Sequence, residues 1–281
     1  MDSFFPLLLL AVVLLPSIIE AIFAKQYPVH TQGIVVVTGA SSGIGLAAAR
    51  ALDAGGYTVY AGVRKAKDAE MVESLGGSLR GLIMDVTNEE SCVKAAETVA
   101  GAMKKEGLPL VGLVNNAGVS RRLPFELEPA EEVKYLLDVN VVGIYRATLP
   151  FLAMIRESKG RIVSTGSVAG LVATAGSSSY SASKAGVEAI TDALRLEMAP
   201  FDVSVSLVEP AYVESAIAGK QVGANSPLLQ STAPDDVKAL YAGFLEKQDV
   251  KRLKAERLAS STEDSTTPAI VHALTAAKPK T

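Results

Sequence analysis

Cysteine is almost missing from the sequence. Cys92 is the only one in 281 residues, so an intramolecular disulfide and any metal site built from several cysteines are excluded. A strong excess of one charge is also missing, because 27 basic and 30 acidic residues leave a net charge of −3. This balance gives no basic surface field for nucleic acid, and 49% hydrophobic residues argue against disorder. We therefore expect a folded protein whose partner is a small molecule.

The length sets the domain organisation. A chain of 281 residues has room for two domains, but doubly wound α/β folds commonly use about 250 residues as one. From residue 33 onward, short β-branched runs alternate with helix-prone stretches. We therefore predict a single α/β domain over residues 31–281.

The N-terminal segment is a long hydrophobic run. Residues 4–19 carry no charge, and the run continues past Glu20 to residue 24, which reaches the length of about 20 residues that a bilayer requires. Asp2 stands where a secretory signal would carry basic residues, so we favour an uncleaved membrane anchor over a cleaved leader for residues 1–25. Lys25 follows the run and favours a cytosolic location for the rest of the chain. We expect the endoplasmic reticulum membrane, with a secreted or organellar protein after leader cleavage as the alternative.

A glycine-rich turn follows the first predicted strand. Residues 33–38 form a β-branched run, and glycines stand at positions 39, 43 and 45 before a helix-prone stretch at residues 46–54. Glycines let the backbone approach a pyrophosphate, and a helix N-terminus supplies free N–H groups and a favourable dipole. This context favours a dinucleotide site over plain structural punctuation. The predicted members of the site are Gly39, Ser41, Ser42, Gly43, Ile44 and Gly45.

The end of the second predicted strand indicates the cofactor. Residues 57–65 are typical of a strand, and its end normally meets the adenosine ribose. An acid there would repel a 2′-phosphate, but Val63 stands at this point, followed by Arg64 and Lys65. Because a guanidinium suits a phosphate, NADP(H) is favoured over NAD(H). The alternative is that Arg64 is only a solvated charge at a strand end.

Tyr180 and Lys184 stand four positions apart in a run of small residues. On a helix this spacing puts the phenol and the ammonium on the same face. A nearby ammonium favours the charged form of a phenol and lowers its pKa, so Tyr180 is a candidate for proton transfer near neutral pH. The alternative is a surface tyrosine beside a solvated lysine, and the surrounding motifs must decide between the two.

These motifs, together with Ser167 in the loop after a β-branched run, closely resemble the classical short-chain dehydrogenase/reductase family. The resemblance covers residues 33–215 and keeps the family's order of motifs. It implies a Rossmann-like, doubly wound parallel sheet and a catalytic set of Asn140, Ser167, Tyr180 and Lys184. In such a set Tyr180 transfers the proton and Ser167 holds the reacting oxygen. Lys184 lowers the phenol pKa and binds the nicotinamide ribose, Asn140 positions a water, and no metal is required.

The resemblance further implies cofactor contacts along the carboxyl ends of the strands. The tetrapeptide Asn-Asn-Ala-Gly after the fourth strand is rather specific for the family, where it braces the sheet and lines the cofactor cleft. Asp85 is either an adenine contact or a plain helix N-cap. Beyond the glycine turn, Tyr180 and Lys184, the implied contacts are Arg64, Asp85, Val86, Asn115, Ala117, Gly118, Pro210, Val213 and Ser215.

The sequence departs from the family at two places. Ala211 follows Pro210 where glycine is usual, and Ser215 replaces the usual threonine, so we expect the cofactor contact to survive with altered local geometry. The chain also stops at Thr281 without a further strand. Either the sheet has six strands and an uncovered edge, or the gene model is incomplete. Residues 211–260 resemble the family's variable substrate-binding insertion.

The function that the resemblance implies is NADP(H)-dependent hydride transfer between a nicotinamide cofactor and a carbonyl or alcohol. The N-terminal anchor and the apolar residues between 211 and 229 favour a lipophilic substrate such as a steroid or retinoid. We allow for a homodimer or homotetramer. One rival is a catalytically silent nucleotide-binding sensor or scaffold on the same fold, against which the intact catalytic set argues. The other is an epimerase or dehydratase of the extended branch, against which the glycine spacing and the short C-terminal region argue.

Overall fold

The structure is a computed structural model and describes residues 25–213 and 231–280. The predicted membrane segment up to residue 24 and the predicted cofactor contact Ser215 lie outside the described residues. Within them, strands and helices alternate in the order that the sequence predicts.

Six parallel strands form one sheet. They are β1 Ile34–Thr38, β2 Thr58–Val63, β3 Leu79–Ile83, β4 Leu110–Asn115, β5 Arg161–Thr165 and β6 Ser204–Val208. Their spatial order is β3-β2-β1-β4-β5-β6. Every position of β1 and β4 is buried, which explains why their sequences are almost continuous hydrophobic runs without alternation. The predicted doubly wound sheet is confirmed.

Helices cover both faces of the sheet. They are α1 Gly43–Ala54, α2 Ala66–Ser74, α3 Glu89–Glu106, α4 Ala130–Leu137, α5 Gly143–Thr148, α6 Leu152–Ser158, α7 Val168–Leu171, α8 Ser178–Met198, α9 Asp235–Leu240, α10 Ala242–Arg257 and α11 Thr266–Thr275. On one face α1, α2 and α11 contribute Leu52, Val72 and Ile270 to a buried cluster. On the other face α3 and α6 contribute Val99 and Ile155 to a second cluster. One hydrophobic layer on each side of the sheet makes the fold a single Rossmann-like domain.

The helices α4 to α6 follow one another in a nearly continuous helical segment, Ala130–Ser158. Its length and hydropathy alone would be enough to cross a membrane. However, Val139, Phe151 and Ile155 in this segment belong to the core on one face of the sheet. A buried core helix of a soluble domain passes the same length and hydropathy test. We therefore assign this segment to the core of the fold.

The outer edge of β6 has no strand partner in the described part of the chain. After β6 the described chain returns to the sheet as α11, where Ile270, Ala273 and Leu274 are buried against one face. A groove of about 550 Å³ lies between α11 and the end of β6. The six-stranded sheet with an open edge, one of the two alternatives from the sequence, is the arrangement of the described residues.

The strand order places a crevice at the centre of the sheet. β1 and β4 are neighbours, although β2 and β3 lie between them in the sequence. The chain therefore winds outward in opposite directions from these two strands, and the crevice at their carboxyl ends is where open α/β sheets bind ligands. The glycine turn follows β1 and the Asn-Asn-Ala-Gly segment follows β4, so both lie at this crevice.

Candidate active site

The glycine turn holds the shape that a pyrophosphate requires. Gly39 has a φ of +65°, and a Cβ there would lie 2.8 Å from the Cα of Ala117. A Cβ on Gly45 would lie 2.6 Å from the Gly39 carbonyl oxygen and would also meet the Asn116 side chain. At the start of α1 the Ser42 side chain makes no capping hydrogen bond, and the first turn carries no acid. The helix N-terminus therefore keeps its N–H groups and its dipole for an anion.

Two residues that the sequence analysis did not assign to the site lock the glycine turn to β4. Thr38 Oγ1 accepts hydrogen bonds from the backbone N–H groups of Asn116 and Ala117, each at 3.0 Å. The Asn116 amide donates to the carbonyl oxygens of Thr38 at 3.0 Å and Gly39 at 3.3 Å. The neighbouring Asn115, a predicted cofactor contact, instead donates its amide to Thr148 Oγ1 at 2.9 Å. Asn115 thus ties β4 to α5, and Asn116 faces the crevice.

The adenosine side of the crevice carries Arg64. Val63 is buried at the end of β2, and Arg64 after it is exposed with Nη1 3.5 Å from the Tyr135 hydroxyl. The Ala40 backbone N–H donates to the Gly62 carbonyl oxygen at 3.0 Å, so the glycine turn is joined to this strand end. Arg64 therefore follows directly on the strand that borders the turn, where a ribose phosphate would lie.

Asp85 lies beyond the end of β3. Its Oδ1 accepts hydrogen bonds from the Thr87 backbone N–H at 3.0 Å and from the Thr87 hydroxyl at 2.8 Å. The N-cap of α3 is Asn88, whose side chain accepts from the Ser91 backbone N–H. The sequence alternative that Asp85 is the helix N-cap is therefore wrong, and Asp85 shapes the turn before the helix. Val86 next to it is buried.

Asn140 lies in a π-helical turn, Asp138–Val142, between α4 and α5. Its amide donates to the Val119 carbonyl oxygen at 2.9 Å and to Ser183 Oγ at 3.0 Å, and its Oδ1 accepts from the Val119 backbone N–H at 2.8 Å. Ser183 Oγ in turn donates to the Tyr180 carbonyl oxygen at 2.7 Å. The widened turn thus aims Asn140 at the segment after β4 and at α8 together.

Ser167 forms the N-cap of α7 at the end of the loop after β5. Its Oγ accepts from the Ala169 backbone N–H at 3.2 Å and lies 3.4 Å from the Pro210 carbonyl oxygen. These contacts fix the hydroxyl of Ser167, a residue that is 8% exposed, and hydrogen bonding by Ser167 lowers the pKa of the Tyr180 phenol. A hydroxyl held in this way can stabilise an oxygen on which charge develops.

Tyr180 and Lys184 lie on the first turns of α8, as their spacing predicts. Burial raises the pKa of the Tyr180 phenol, while the hydrogen bond from Ser167 and the charge of Arg122 lower it. Burial also lowers the pKa of Lys184 to about 8. Lys184 Nζ donates to the Thr165 carbonyl oxygen at 2.8 Å and lies 5.9 Å from the centroid of the Tyr180 ring. Burial therefore outweighs the lowering of the phenol pKa by Ser167 and Arg122.

The fold brings these side chains to one place, although they come from distant parts of the sequence. A Cβ on Gly118 would lie 3.4 Å from Asn140 Oδ1 and 3.9 Å from Lys184 Nζ, so the glycine leaves room beside both. Pro210 and Val213 border the groove at the end of β6, which none of the four catalytic candidates lines. Ala211 does not adopt a positive φ, so the loop after β6 uses a conformation that alanine tolerates.

Other reactive groups do not form a second centre in the parts of the chain that the structure describes. These parts contain no group of three or more His, Cys, Asp or Glu side chains that could hold a metal ion. Cys92 is buried, and burial raises the pKa of its thiol to about 11. Because the thiolate is the reactive form, Cys92 is inert near neutral pH.

The comparison with protein families decides the identity. Residues 33–225 match the family model described as short chain dehydrogenase. The chain belongs to the short-chain dehydrogenase family. It is therefore an NAD(P)-dependent oxidoreductase, and its glycine turn, α1 N-terminus and open crevice provide the cradle that a nicotinamide dinucleotide requires.

Several characterised dehydrogenases are similar to this short-chain dehydrogenase over most of its length. Retinol dehydrogenase 16 of Mus musculus is 34% identical over 98% of this chain and 87% of that protein. Mitochondrial D-beta-hydroxybutyrate dehydrogenase of Rattus norvegicus is 35% identical over 92% of this chain and 78% of that protein. The 17-beta-hydroxysteroid dehydrogenase type 6 of Bos taurus is 35% identical over 92% of this chain and 82% of that protein.

Solved structures show the same architecture. A short-chain dehydrogenase from Streptomyces avermitilis is 33% identical, with a TM-score of 0.60 over 67% of this chain and 68% of that one. A short-chain dehydrogenase/reductase from Burkholderia phymatum in complex with NAD is 25% identical, with a TM-score of 0.71 over 86% of both chains.

Proposed function

We propose that this short-chain dehydrogenase transfers hydride between NADP(H) and a lipophilic alcohol or carbonyl compound, with residues 31–281 as the catalytic domain and 211–260 as its substrate-binding insertion. The observation that carries the proposal is the convergence of Asn140, Ser167, Tyr180 and Lys184 beside the glycine turn. The names of the relatives, which refer to retinol, hydroxybutyrate and hydroxysteroids, support an alcohol substrate with lipophilic character.

Each residue of the set has a task that its surroundings support. The cofactor supplies or accepts the hydride when bound. Tyr180 donates its phenolic proton to the carbonyl oxygen during reduction and accepts the hydroxyl proton during oxidation. Ser167 binds the same oxygen as charge develops on it. Lys184 places a positive charge near the phenol and would bind the nicotinamide ribose of the cofactor, and Asn140 holds the loop after β4 and would bind the water that relays protons.

The test is turnover of purified protein with a panel of ketones, retinoids, steroids and hydroxy acids in the presence of each cofactor. Tyr180→Phe should reduce kcat by about 10² to 10⁴ because it removes the proton donor, while cofactor affinity stays nearly unchanged. Tyr145→Phe, at an exposed tyrosine on α5, is the matched control and should keep full activity. Near-wild-type turnover by Tyr180→Phe would refute the assigned proton donor. Cofactor binding without turnover of any panel member would favour the silent sensor or scaffold.

The preference for NADP(H) is supported by the exposed Arg64 at the end of β2 and by the absence of an acid at Val63. A 2′-phosphate would gain a charge-assisted hydrogen bond from Arg64 and would meet no repelling carboxylate at that point.

We further propose that residues 1–25 anchor the enzyme in the endoplasmic reticulum membrane with the catalytic domain in the cytosol. The uncharged run at residues 4–19 and the following Lys25 support this orientation. The name of one relative is that of a mitochondrial enzyme, which makes an organellar location the main competitor. Alkaline carbonate extraction, fractionation of cells and sequencing of the mature N-terminus separate the two. A soluble protein with a new N-terminus near Lys25 would refute the anchor.

The assembly of the enzyme is a separate proposal. We propose a homodimer or homotetramer, which light scattering of the detergent-solubilised protein tests directly. A monomeric mass at full activity would contradict it.

A further inference from the structure

Two consecutive arginines follow the Asn-Asn-Ala-Gly segment, and their surroundings differ. Arg121 Nη2 forms an ion pair with Glu132 at 3.1 Å, and the Arg121 side chain is only 14% exposed. Arg122 is exposed and forms no ion pair with any residue in the ranges that the structure describes. Arg121 therefore stabilises the fold, whereas the charge of Arg122 is available to a ligand.

The segment that carries Arg122 is fixed at both ends. The Val119 backbone exchanges two hydrogen bonds with the side-chain amide of Asn140, at 2.8 and 2.9 Å. Leu123 is 1% exposed, and its carbonyl carbon lies 3.7 Å from the position that a Cβ on Gly176 would take. Gly176 precedes Tyr180 by four residues, so Arg122 is held between the catalytic asparagine and the loop that leads into the catalytic tyrosine.

The charge of Arg122 acts on the site itself. The contacts of Val119 and Leu123 hold the Arg122 backbone beside the residues that flank Tyr180, and the charge of Arg122 lowers the pKa of the Tyr180 phenol through space. Acids in the same stretch of chain are engaged elsewhere. Glu126 accepts from the Tyr241 hydroxyl, Glu128 from the Ser179 hydroxyl, Glu132 binds Arg121 and Asp138 binds Arg146. Among the described residues, the surroundings of Tyr180 therefore include one cation, Arg122, without a counter-ion.

We propose that Arg122 is a specificity-determining residue that binds a carboxylate of the substrate, so that the substrates are hydroxy acids and the corresponding keto acids with an apolar remainder. This inference rests on the proposed function and narrows its substrate class. In oxidation the alcohol carbon loses a hydride to the oxidised nicotinamide, the hydroxyl proton goes to Tyr180, and the C–O bond becomes a carbonyl. The carboxylate takes no part in the exchange and stays on Arg122.

The physical basis is a charge-assisted hydrogen bond that a neutral substrate lacks. A guanidinium binds a carboxylate with two parallel N–H donors, and the charge on both partners strengthens these hydrogen bonds. The expected discrimination between an acid and its neutral amide is about tenfold or more in kcat/KM, and it should reside mainly in KM because the contact is present before and during the reaction.

The experiment compares 3-hydroxyoctanoate with 3-hydroxyoctanamide as substrates of the full chain. Wild type should prefer the acid at least about tenfold, and Arg122→Gln should remove most of this preference while its activity on the amide changes little. Arg122→Lys should restore part of it because the charge returns without the planar fork. Arg156→Gln, at an exposed arginine near the start of β5, is the matched control and should behave as wild type.

A second measurement separates this inference from the proposed function. Binding of the same two compounds, with oxidised cofactor present, is measured by calorimetry in Tyr180→Phe and in the Tyr180→Phe, Arg122→Gln double variant. Tighter binding of the acid that disappears in the double variant supports the carboxylate contact even if no compound is turned over. Equal affinity for acid and amide, or a preference that survives loss of Arg122, overturns the inference. If acid and amide bind equally but neutral alcohols are turned over, the carboxylate contact is refuted and the proposed oxidoreductase function is retained.

Discussion

Two opposing requirements act on Lys184: burial destabilises its charged form, whereas its proposed catalytic role needs that charge. Its ammonium is buried, which lowers its pKa to about 8, yet its catalytic task depends on positive charge behind the phenol. In the unfolded chain the same group has a pKa of about 10.4. Between these two values the unfolded state binds more protons, so the free energy of unfolding should rise with pH through this window. At neutral pH the protein therefore carries the full cost of a buried charge.

Lys184→Met should reverse this cost while abolishing activity. At pH 7 the free energy of unfolding is expected to increase by about 1–3 kcal/mol, less the lost hydrogen bond to the Thr165 carbonyl. Above about pH 10.5 the advantage should vanish because the lysine is then neutral in both states. Urea denaturation between pH 7 and 10.5 measures both effects. Lys105→Met, at an exposed lysine, should change stability by less than about 0.5 kcal/mol at every pH. A pH-independent loss of stability in Lys184→Met would contradict the argument.

Arg64 is a residue whose role can be measured through the cofactor. Arg64→Ala should reduce the ratio of kcat/KM for NADPH to that for NADH by about tenfold or more, since one charge-assisted contact to the 2′-phosphate is lost. Arg80→Ala removes an exposed arginine from the adjacent strand β3 and should leave the ratio unchanged. A wild-type preference for NADH, or an unaltered ratio in Arg64→Ala, would refute the phosphate contact.

Residue types were predictable from the sequence, but the directions of side chains were not. The family resemblance predicted Asn140, Ser167, Tyr180 and Lys184 as the catalytic set, and the fold brings these side chains close together. The resemblance assigned the cofactor contact to Asn115, whereas the structure turns Asn116 toward the glycine turn. The proximity of Arg122 to Tyr180 depends on how two loops pack, and no spacing rule spans that distance. The two arginines directly after Asn-Asn-Ala-Gly were the available signal.

At the scale of elements, the π-helical turn Asp138–Val142 is the feature that sequence patterns did not reveal. This turn lies within the nearly continuous helical segment Ala130–Ser158. The local widening arises because Asn140 satisfies both polar groups of Val119. Hydrophobic periodicity reports which face is buried, but a tertiary hydrogen bond of this kind leaves no mark on it.

The junction of the glycine turn and α1 offers a test with an internal control. Gly45→Ala should lower cofactor affinity by about tenfold or more and destabilise the fold by about 1–3 kcal/mol, because its Cβ would collide with the Gly39 carbonyl and the Asn116 side chain. Gly101→Ala, in α3, meets nothing within 4 Å and should stabilise the fold by about 0.5–1 kcal/mol. Cofactor titration and thermal unfolding of both variants provide the comparison. Equal cofactor affinity and equal stability of the two variants would show that the close contacts at Gly45 affect neither cofactor binding nor folding.

At the scale of the whole molecule, strand-helix alternation was sufficient to predict the doubly wound sheet and its six strands. What it did not predict is how the ends of the described chain meet. Tyr27 donates its backbone N–H to the Ala277 carbonyl oxygen at 2.9 Å, and Lys25 pairs with Asp202 at 2.9 Å. These contacts join segments about 180 to 250 residues apart, a separation over which local patterns carry no information.

Arg161 is the centre of this junction. It begins β5, is 1% exposed, and has no carboxylate partner among residues 25–213 and 231–280. Its guanidinium donates to the Pro28 carbonyl oxygen at 2.7 Å and to the Ala273 carbonyl oxygen, in the last turn of α11, at 3.1 Å. Burial lowers the pKa of Arg161, so its charge is expensive and depends on these carbonyl groups and on the negative end of the α11 dipole.

Arg161→Met should therefore loosen both ends of the chain at once. Methionine fills similar space but leaves the carbonyl groups of Pro28 and Ala273 without this donor, so the free energy of unfolding should fall by about 1–3 kcal/mol. Hydrogen exchange at the Tyr27 amide should accelerate more than exchange in β4, because the N-terminal segment detaches before the sheet opens. Arg50→Met, at an exposed arginine on α1, should alter neither quantity. Wild-type stability and wild-type protection of the Tyr27 amide in Arg161→Met would contradict this prediction. The free-energy cost of burying the guanidinium would then equal the stabilisation by its hydrogen bonds, and Arg161 would make no net contribution to holding the chain ends together.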